Sequence, residues 1–112
     1  MNNSSTGTPS KRKRIVIDEK VIGHYGALRL KYIREYKKKL YRELRSEGTI
    51  NEYLISINAS ACEAYDNIIR QYIEKEGLTE TFRKNAPEEY ESRMNTIRLE
   101  VGEIILHDYV YY

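Results

Sequence analysis

Apolar residues recur every three or four positions in three stretches of this chain, and that spacing is typical of amphipathic α-helices. The three predicted helices cover residues 23–47, about 50–76, and 86 to about 107. Gly48 and Gly77 follow the first two helices, where glycine favours the left-handed conformation that ends a helix. Thr49 and Thr79 are candidate N-caps, the second for a short helical turn before the last helix.

Each predicted helix has one apolar face. On the first helix this face consists of Tyr25, Leu28, Tyr32, Tyr36, Leu40 and Leu44. On the second it consists of Leu54, Ile57, Ala61, Ala64, Ile68 and Tyr72, and on the third of Tyr90, Met94, Ile97, Val101, Ile104 and Ile105. Because the connections are short, the pattern predicts an all-α fold in which three helices form an antiparallel bundle around one core.

The N-terminal segment does not share this helical pattern. Residues 1–14 have few apolar side chains and end in a basic cluster, which predicts a disordered basic tail ahead of a single helical domain over 15–112. Ile15–Ile17 is β-branched and favours a short strand. Its one partner of similar type is Tyr109–Tyr112, so a short β pairing of the termini is one arrangement that the sequence allows.

Charge is distributed unevenly along the chain. Residues 1–47 carry thirteen Lys and Arg and five Asp and Glu, a balance of +8, whereas residues 48–112 carry six and twelve, a balance of −6, and the two sum to +2. A basic half joined to an acidic half favours contact with nucleic acid through one region only. The same asymmetry fits head-to-tail self-association, so the charge pattern leaves both partners open.

The cations of the first helix are concentrated on one side. Five of them, which we call the basic stripe, fall within an arc of about 80° on a helical wheel: Lys31, Arg34, Lys38, Arg42 and Arg45. Such a stripe would neutralise the phosphates of DNA. A flexible arm would add Lys11, Arg12, Lys13 and Arg14. The alternative is a solvated helix face whose charge serves solubility.

The chain contains eleven tyrosines and no tryptophan. Tyr32 and Tyr36 lie among the cations, but they are in register with apolar positions of the first helix. Core packing is therefore favoured over stacking on unpaired bases. The C-terminal tyrosines are expected to dock on the bundle or on a second copy of the chain: Tyr109, Tyr111 and Tyr112.

Other residue types point away from catalysis, metal binding and membrane insertion. Cys62 is the only cysteine, which excludes an intrachain disulfide and is typical of a reducing compartment. His24 and His107 lack partners at metal-ligand spacing, and no phosphate-binding loop is present. No apolar run reaches the ~20 residues of a membrane span, and no secretory signal is visible. We therefore expect a cytoplasmic protein without cofactor, metal site or enzymatic activity.

Two segments are more specific than helical periodicity. Ile22-Gly23-His24-Tyr25-Gly26-Ala27-Leu28-Arg29 and Met94-Asn95-Thr96-Ile97-Arg98 resemble segments of the TnpV family, small proteins encoded on bacterial transposons and related mobile elements. The resemblance covers most of the chain and leaves the basic tail outside. Arg29 and Arg98 lie inside the two segments, beside apolar positions. Each is interpreted either as a functional residue or as an amphipathic arginine that covers the edge of the bundle.

The resemblance implies an accessory factor that travels beside a recombinase, with a likeness to phage excisionases, and it brings no catalytic residues. The leading hypothesis is a non-enzymatic accessory protein of a bacterial mobile element that binds DNA through the basic stripe. The alternative is a protein-interaction module that forms a homodimer, or binds a transposon recombinase or a host factor, without contacting DNA.

Overall fold

The computed structural model describes residues 15–112, and all regular secondary structure in this part of the chain is helical. Five α-helices follow one another: α1 (Glu19–Tyr36), α2 (Lys38–Glu47), α3 (Ile50–Glu76), α4 (Glu80–Asn85) and α5 (Pro87–Ile105). A π-helical turn, Leu106–Val110, continues directly from α5. The prediction of an all-α fold is confirmed, and the predicted basic tail of residues 1–14 lies outside the described residues.

The predicted first helix is interrupted at a single residue. Lys37 has a φ of −130° and a ψ of 57°, which are not helical, so α1 and α2 are separate helices. After this bend, Tyr41 and Leu44 of α2 pack against a buried cluster that includes Leu30 and Ile50. The prediction of one continuous helix over residues 23–47 is therefore wrong, because burial of α2 against this cluster requires a change of direction.

The helix ends follow the predicted signals at both glycines. Gly48 and Gly77 have φ values of 76° and 67°, and each donates its N–H to carbonyl groups in the last turn of the preceding helix. The hydroxyl oxygen of Thr79 accepts a hydrogen bond from the N–H of Phe82, which caps α4. Thr49 occupies the N-cap position of α3 but makes no capping hydrogen bond through its side chain.

α3 is the central element, and α1 and α5 pack against different parts of its length. Hydrogen bonds join Tyr25 to Asn58 and Arg29 to Tyr53, so α1 runs antiparallel to the first half of α3. An ion pair joins the start of α5 to the end of α3, so these two helices are antiparallel as well. Within residues 15–112, the backbones of α1 and α5 do not contact each other.

Two hydrophobic clusters take the place of the single predicted core. The first joins α1 to the start of α3 and contains Ile22, Leu30, Ile50 and Leu54. The second joins α4 and α5 to the rest of α3 and contains Ala61, Leu78, Met94, Ile97, Val101 and Ile105. A bundle of three helices around one core is not confirmed. The 27-residue α3 is about 40 Å long, which gives α1 and α5 separate places to pack.

The predicted apolar faces of α3 and α5 are confirmed, whereas that of the first helix is half-buried at five of its six positions, exposed at Tyr36, and displaced from the fully buried face. At the predicted positions of α3 and α5, every side chain is buried or half-buried. The buried residues of α1 are Ile22, Gly26, Arg29, Leu30 and Ile33, a face about 100° around the helix from the predicted one. The apolar pattern of the sequence does not reveal this face, because two of its buried residues, Gly26 and Arg29, have no apolar side chain.

The β pairing of the termini is absent from residues 15–112, which contain no strand. Ile15 and Ile17 pack against the first hydrophobic cluster instead. At the other end, the main-chain oxygens of Val110 and Tyr112 accept hydrogen bonds from Arg29. The C-terminal segment is therefore held by a side chain of α1 and not by a neighbouring strand.

Candidate nucleic-acid interface

A backbone break at Gly23 begins the long regular part of α1. Gly23 has a φ of 81° and a ψ of 175°, a conformation that residues with a side chain rarely adopt. A Cβ atom at this position would also overlap the side chain of Asn58. The Oδ1 atom of Asn58 accepts the N–H of Tyr25 at 2.9 Å, so α3 caps the restarted helix and fixes its direction.

α1 approaches α3 most closely at Gly26. A Cβ atom here would lie 2.9 Å from the carbonyl oxygen of Leu54 and 3.2 Å from the Cβ atom of Ile22. Only glycine lets the two helix backbones come this near without displacing one of them. The contact directs one face of α1 towards α3 and leaves the opposite face outward.

Arg29 is buried on the inner face of α1, with only 2% of its surface exposed. Its Nε atom donates to the hydroxyl of Tyr53 at 3.0 Å, and its Nη1 atom donates to the main-chain oxygens of Val110 at 2.8 Å and Tyr112 at 3.0 Å. The guanidinium carbon also lies 4.0 Å from the ring centroid of Tyr112. Oxygen acceptors and an aromatic face therefore stabilise this buried charge.

Arg29 is therefore not an amphipathic arginine at the edge of the bundle, which was one of its two predicted interpretations. It holds the segment that follows α5 against α1 and α3. Burial and the neighbouring Tyr53 raise the pKa of Tyr112 above 10.0, and these effects outweigh Arg29, which lowers it. Arg98, by contrast, is exposed, and its Nη1 atom lies 3.3 Å from Glu91 Oε2.

The basic stripe lies on the outward side of α1 and α2. Four of its members are exposed and Arg45 is half-buried: Lys31, Arg34, Lys38, Arg42 and Arg45. The break at Lys37 divides the stripe into two groups, one on each helix. Arg34 and Arg45 converge from the two helices on Tyr41, with guanidinium carbons 6.0 and 5.7 Å from its ring centroid. The predicted tail cations Lys11, Arg12, Lys13 and Arg14 lie outside the described residues.

An open groove of about 770 Å³, here called the basic groove, runs along this side of α1. Lys31, Arg34 and Lys38 line it together with two acids, Glu19 and Glu35. Among the ion pairs of residues 15–112, none involves a lysine or arginine of α1 or α2. The stripe cations are therefore not held in ion pairs by other side chains of this part of the chain.

A second groove of about 450 Å³, here called the tyrosine groove, adjoins the first. It is lined by Leu28, Lys31, Tyr32, Glu35, Tyr36 and Tyr111. The ring centroid of Tyr32 lies 5.2 Å from that of Tyr36 and 5.3 Å from that of Tyr111. Tyr36 is 66% exposed and Tyr111 is 42% exposed. The prediction that Tyr36 packs in the core is therefore wrong.

Three further observations concern other kinds of site. No three His, Cys, Asp or Glu side chains of residues 15–112 are grouped as metal ligands would be. Cys62 is an exposed free thiol. Across the same residues, no helix combines the length and the apolar character that crossing a membrane requires.

The fold and this surface define a class of small helical protein. In it, shorter helices pack on one long helix, α3, and the outward side of α1 and α2 is basic. The chain belongs to the TnpV family: the sequence model of that family, described as transposon-encoded protein TnpV, matches residues 14–110. The resemblance predicted from the two short segments is thus confirmed. Neither the curated proteins nor the solved structures contain a match to this chain.

Proposed function

We propose that this protein is a non-enzymatic accessory factor of a bacterial transposon or related mobile element, and that it binds DNA through the basic stripe in an excisionase-like role. The proposal rests on a contrast between the arginines of α4 and α5 and the cations of the stripe. The arginines Arg83, Arg93 and Arg98 of α4 and α5 pair with glutamates, whereas the stripe cations have no such partners in residues 15–112. Unpaired cations on one face fit a partner with regularly spaced negative charges.

The placement of the stripe supports contact with a phosphate backbone. The basic groove presents Lys31, Arg34 and Lys38 side by side, and α2 adds Arg42 beyond the bend. Ile15, the first described residue, packs against the same cluster as Tyr41 of α2. Binding would then come from phosphate neutralisation and counterion release, which makes it strongly salt-dependent.

A mobility-shift titration of a DNA duplex over a range of salt concentrations tests the proposal. Reversal of two stripe charges, Lys38→Glu with Arg42→Glu, is expected to flatten the log–log salt dependence by about two units. The matched control reverses two ion-paired charges of the other region, Arg83→Glu with Arg93→Glu. This control changes the net charge equally and is expected to leave the slope unchanged. Equal losses in both variants, or no binding by the wild type at low salt, would refute the proposal.

A protein-interaction module is the second candidate function. Val21 is 60% exposed and Leu99 is 71% exposed, and exposed apolar side chains of this size are common at contacts with other proteins. This module would pair with itself, with a recombinase or with a host factor. A stable dimer in gel filtration, together with no duplex binding at low salt, would favour it over DNA binding.

A further inference from the structure

We infer that the surface proposed to bind DNA prefers unpaired nucleotides, with bases stacking in the tyrosine groove while phosphates lie along the basic groove. This inference rests on the proposed DNA binding and adds the form of DNA that is recognised. It starts from the exposure of Tyr36 and Tyr111, which core packing does not explain.

The two grooves form one continuous surface. Leu28, Lys31 and Glu35 line both of them. A strand whose phosphates contact Lys31, Arg34 and Lys38 would therefore have its bases within reach of the neighbouring tyrosines. Basic grooves flanked by aromatic side chains are the usual means by which proteins hold single-stranded nucleic acids.

The tyrosines suit an unpaired base better than a closed duplex. Tyr36 is the most exposed of the tyrosine side chains in the groove and lies next to Tyr32. In a duplex both faces of each base are covered by neighbouring base pairs, and only unstacked bases offer a face to an aromatic ring. Phosphate contacts alone would not distinguish the two forms in this way.

The aromatic surface is also held in place before any ligand binds. Arg29 donates hydrogen bonds to the main-chain oxygens of Val110 and Tyr112, which are the residues on either side of Tyr111. The N–H of Tyr111 donates to the carbonyl oxygen of Leu106 at 2.8 Å. Tyr111 is thereby fixed against Tyr32, so little ordering is needed when a base stacks on this surface.

Fluorescence anisotropy with the full chain tests this inference. The probes are a labelled strand of about 20 nucleotides and the duplex that it forms with its complement, both at the same low salt concentration. Tyr36→Ala is expected to weaken single-strand binding about tenfold, the effect of losing one stacked base, and to change duplex binding by less than about twofold. Tyr36→Phe keeps the ring and is expected to retain wild-type affinity. Leu99→Ala, at another exposed position, is the matched control for loss of apolar surface.

The outcomes separate this inference from the proposed function. Selective loss of single-strand affinity in Tyr36→Ala, with retention in Tyr36→Phe, supports the inference. Equal weakening of both probes, or no change with either probe, overturns the inference and leaves charge-dependent DNA binding intact. Failure of the wild type to bind either probe overturns the proposed function itself. A second truncation, Tyr36→Leu, with an unchanged circular dichroism spectrum, excludes misfolding as the cause of a loss.

Discussion

α1 and α5 both pack on α3, yet they use the same residue types in opposite ways. Arg29 of α1 is buried and donates to a tyrosine hydroxyl and two main-chain oxygens, whereas Arg98 of α5 is exposed and pairs with Glu91. Gly26 of α1 lies against the backbone of α3, whereas a side chain at Gly102 of α5 would meet open space. The role of each residue is therefore set by what its helix packs against, and not by its type or by its place in an amphipathic pattern.

The acids of the two helices differ in the same way. Glu89 and Glu91 of α5 lie 3.2 and 3.3 Å from Arg93 and Arg98. Glu35 of α1 has no such ion pair within residues 15–112 and lines both grooves. Both arginines of α5 are thus paired with glutamates of the same helix, which carries five Glu against two Arg and is acidic, whereas α1 and α2 together carry eight Lys and Arg against four Glu. This difference is the physical reason for assigning DNA binding to one region and not to the other.

The largest expected effect comes from removing the buried arginine. Arg29→Ala is expected to lower the free energy of unfolding by about 3 kcal/mol, because the hydroxyl of half-buried Tyr53 and two main-chain oxygens lose their donor. Arg98→Ala removes an exposed ion pair and is expected to cost less than about 0.5 kcal/mol. Urea denaturation followed by circular dichroism measures both values.

The conservative change Arg29→Lys refines this prediction. Lysine keeps the charge but lacks the planar fork that reaches three acceptors at once, so an intermediate loss of stability is expected. If Arg29→Ala and Arg98→Ala have equal effects, the contrast between the two helices does not hold.

The next largest expected difference in stability is between alanine substitutions at Gly26 and at Gly102. Gly26→Ala is expected to destabilise the protein by about 2 kcal/mol, because the added methyl group would be forced against the backbone of α3. Gly102→Ala is expected to stabilise it by about 1 kcal/mol, since alanine lowers the entropy cost of helix formation where space is open. The same denaturation experiment compares them. A neutral Gly26→Ala variant would contradict the close approach of α1 to α3.

The sequence predicted correctly those features of the structure that depend on residues close to one another along the chain. The apolar faces of α3 and α5 and the glycine ends of α1–α2 and α3 follow from spacing and backbone conformation alone. Four of the five stripe cations are exposed and Arg45 is half-buried, because the centre of the stripe lies more than about 100° from the centre of the buried face of α1. The predicted apolar face was about 100° from the buried one, and this error was too small to place the stripe on the buried face.

The features that the sequence concealed depend on contacts between distant segments. Burial of Arg29 needs acceptors from Tyr53, Val110 and Tyr112, which lie 24 to 83 residues away. The tyrosine groove needs Tyr111 to dock beside Tyr32. Periodicity wrongly assigned Tyr36 to the core, because it counts tyrosine as apolar and does not show that a glycine and an arginine occupy the inner face of α1.

The smallest expected effect comes from neutralising one glutamate on each helix. Glu35→Gln removes an acid from between the two grooves, and we expect it to raise affinity for single-stranded and duplex DNA by about twofold to threefold at low salt, as expected for one partly screened charge. Glu91→Gln changes the net charge equally but leaves Arg98 on the face of α5, so no change in affinity is expected. Anisotropy titrations of both variants show whether DNA affinity depends on the local charge beside the grooves or on the net charge of the protein. Equal gains would mean that the net charge of the protein determines binding, and the difference between the surfaces of α1 and α5 would then have no consequence for function.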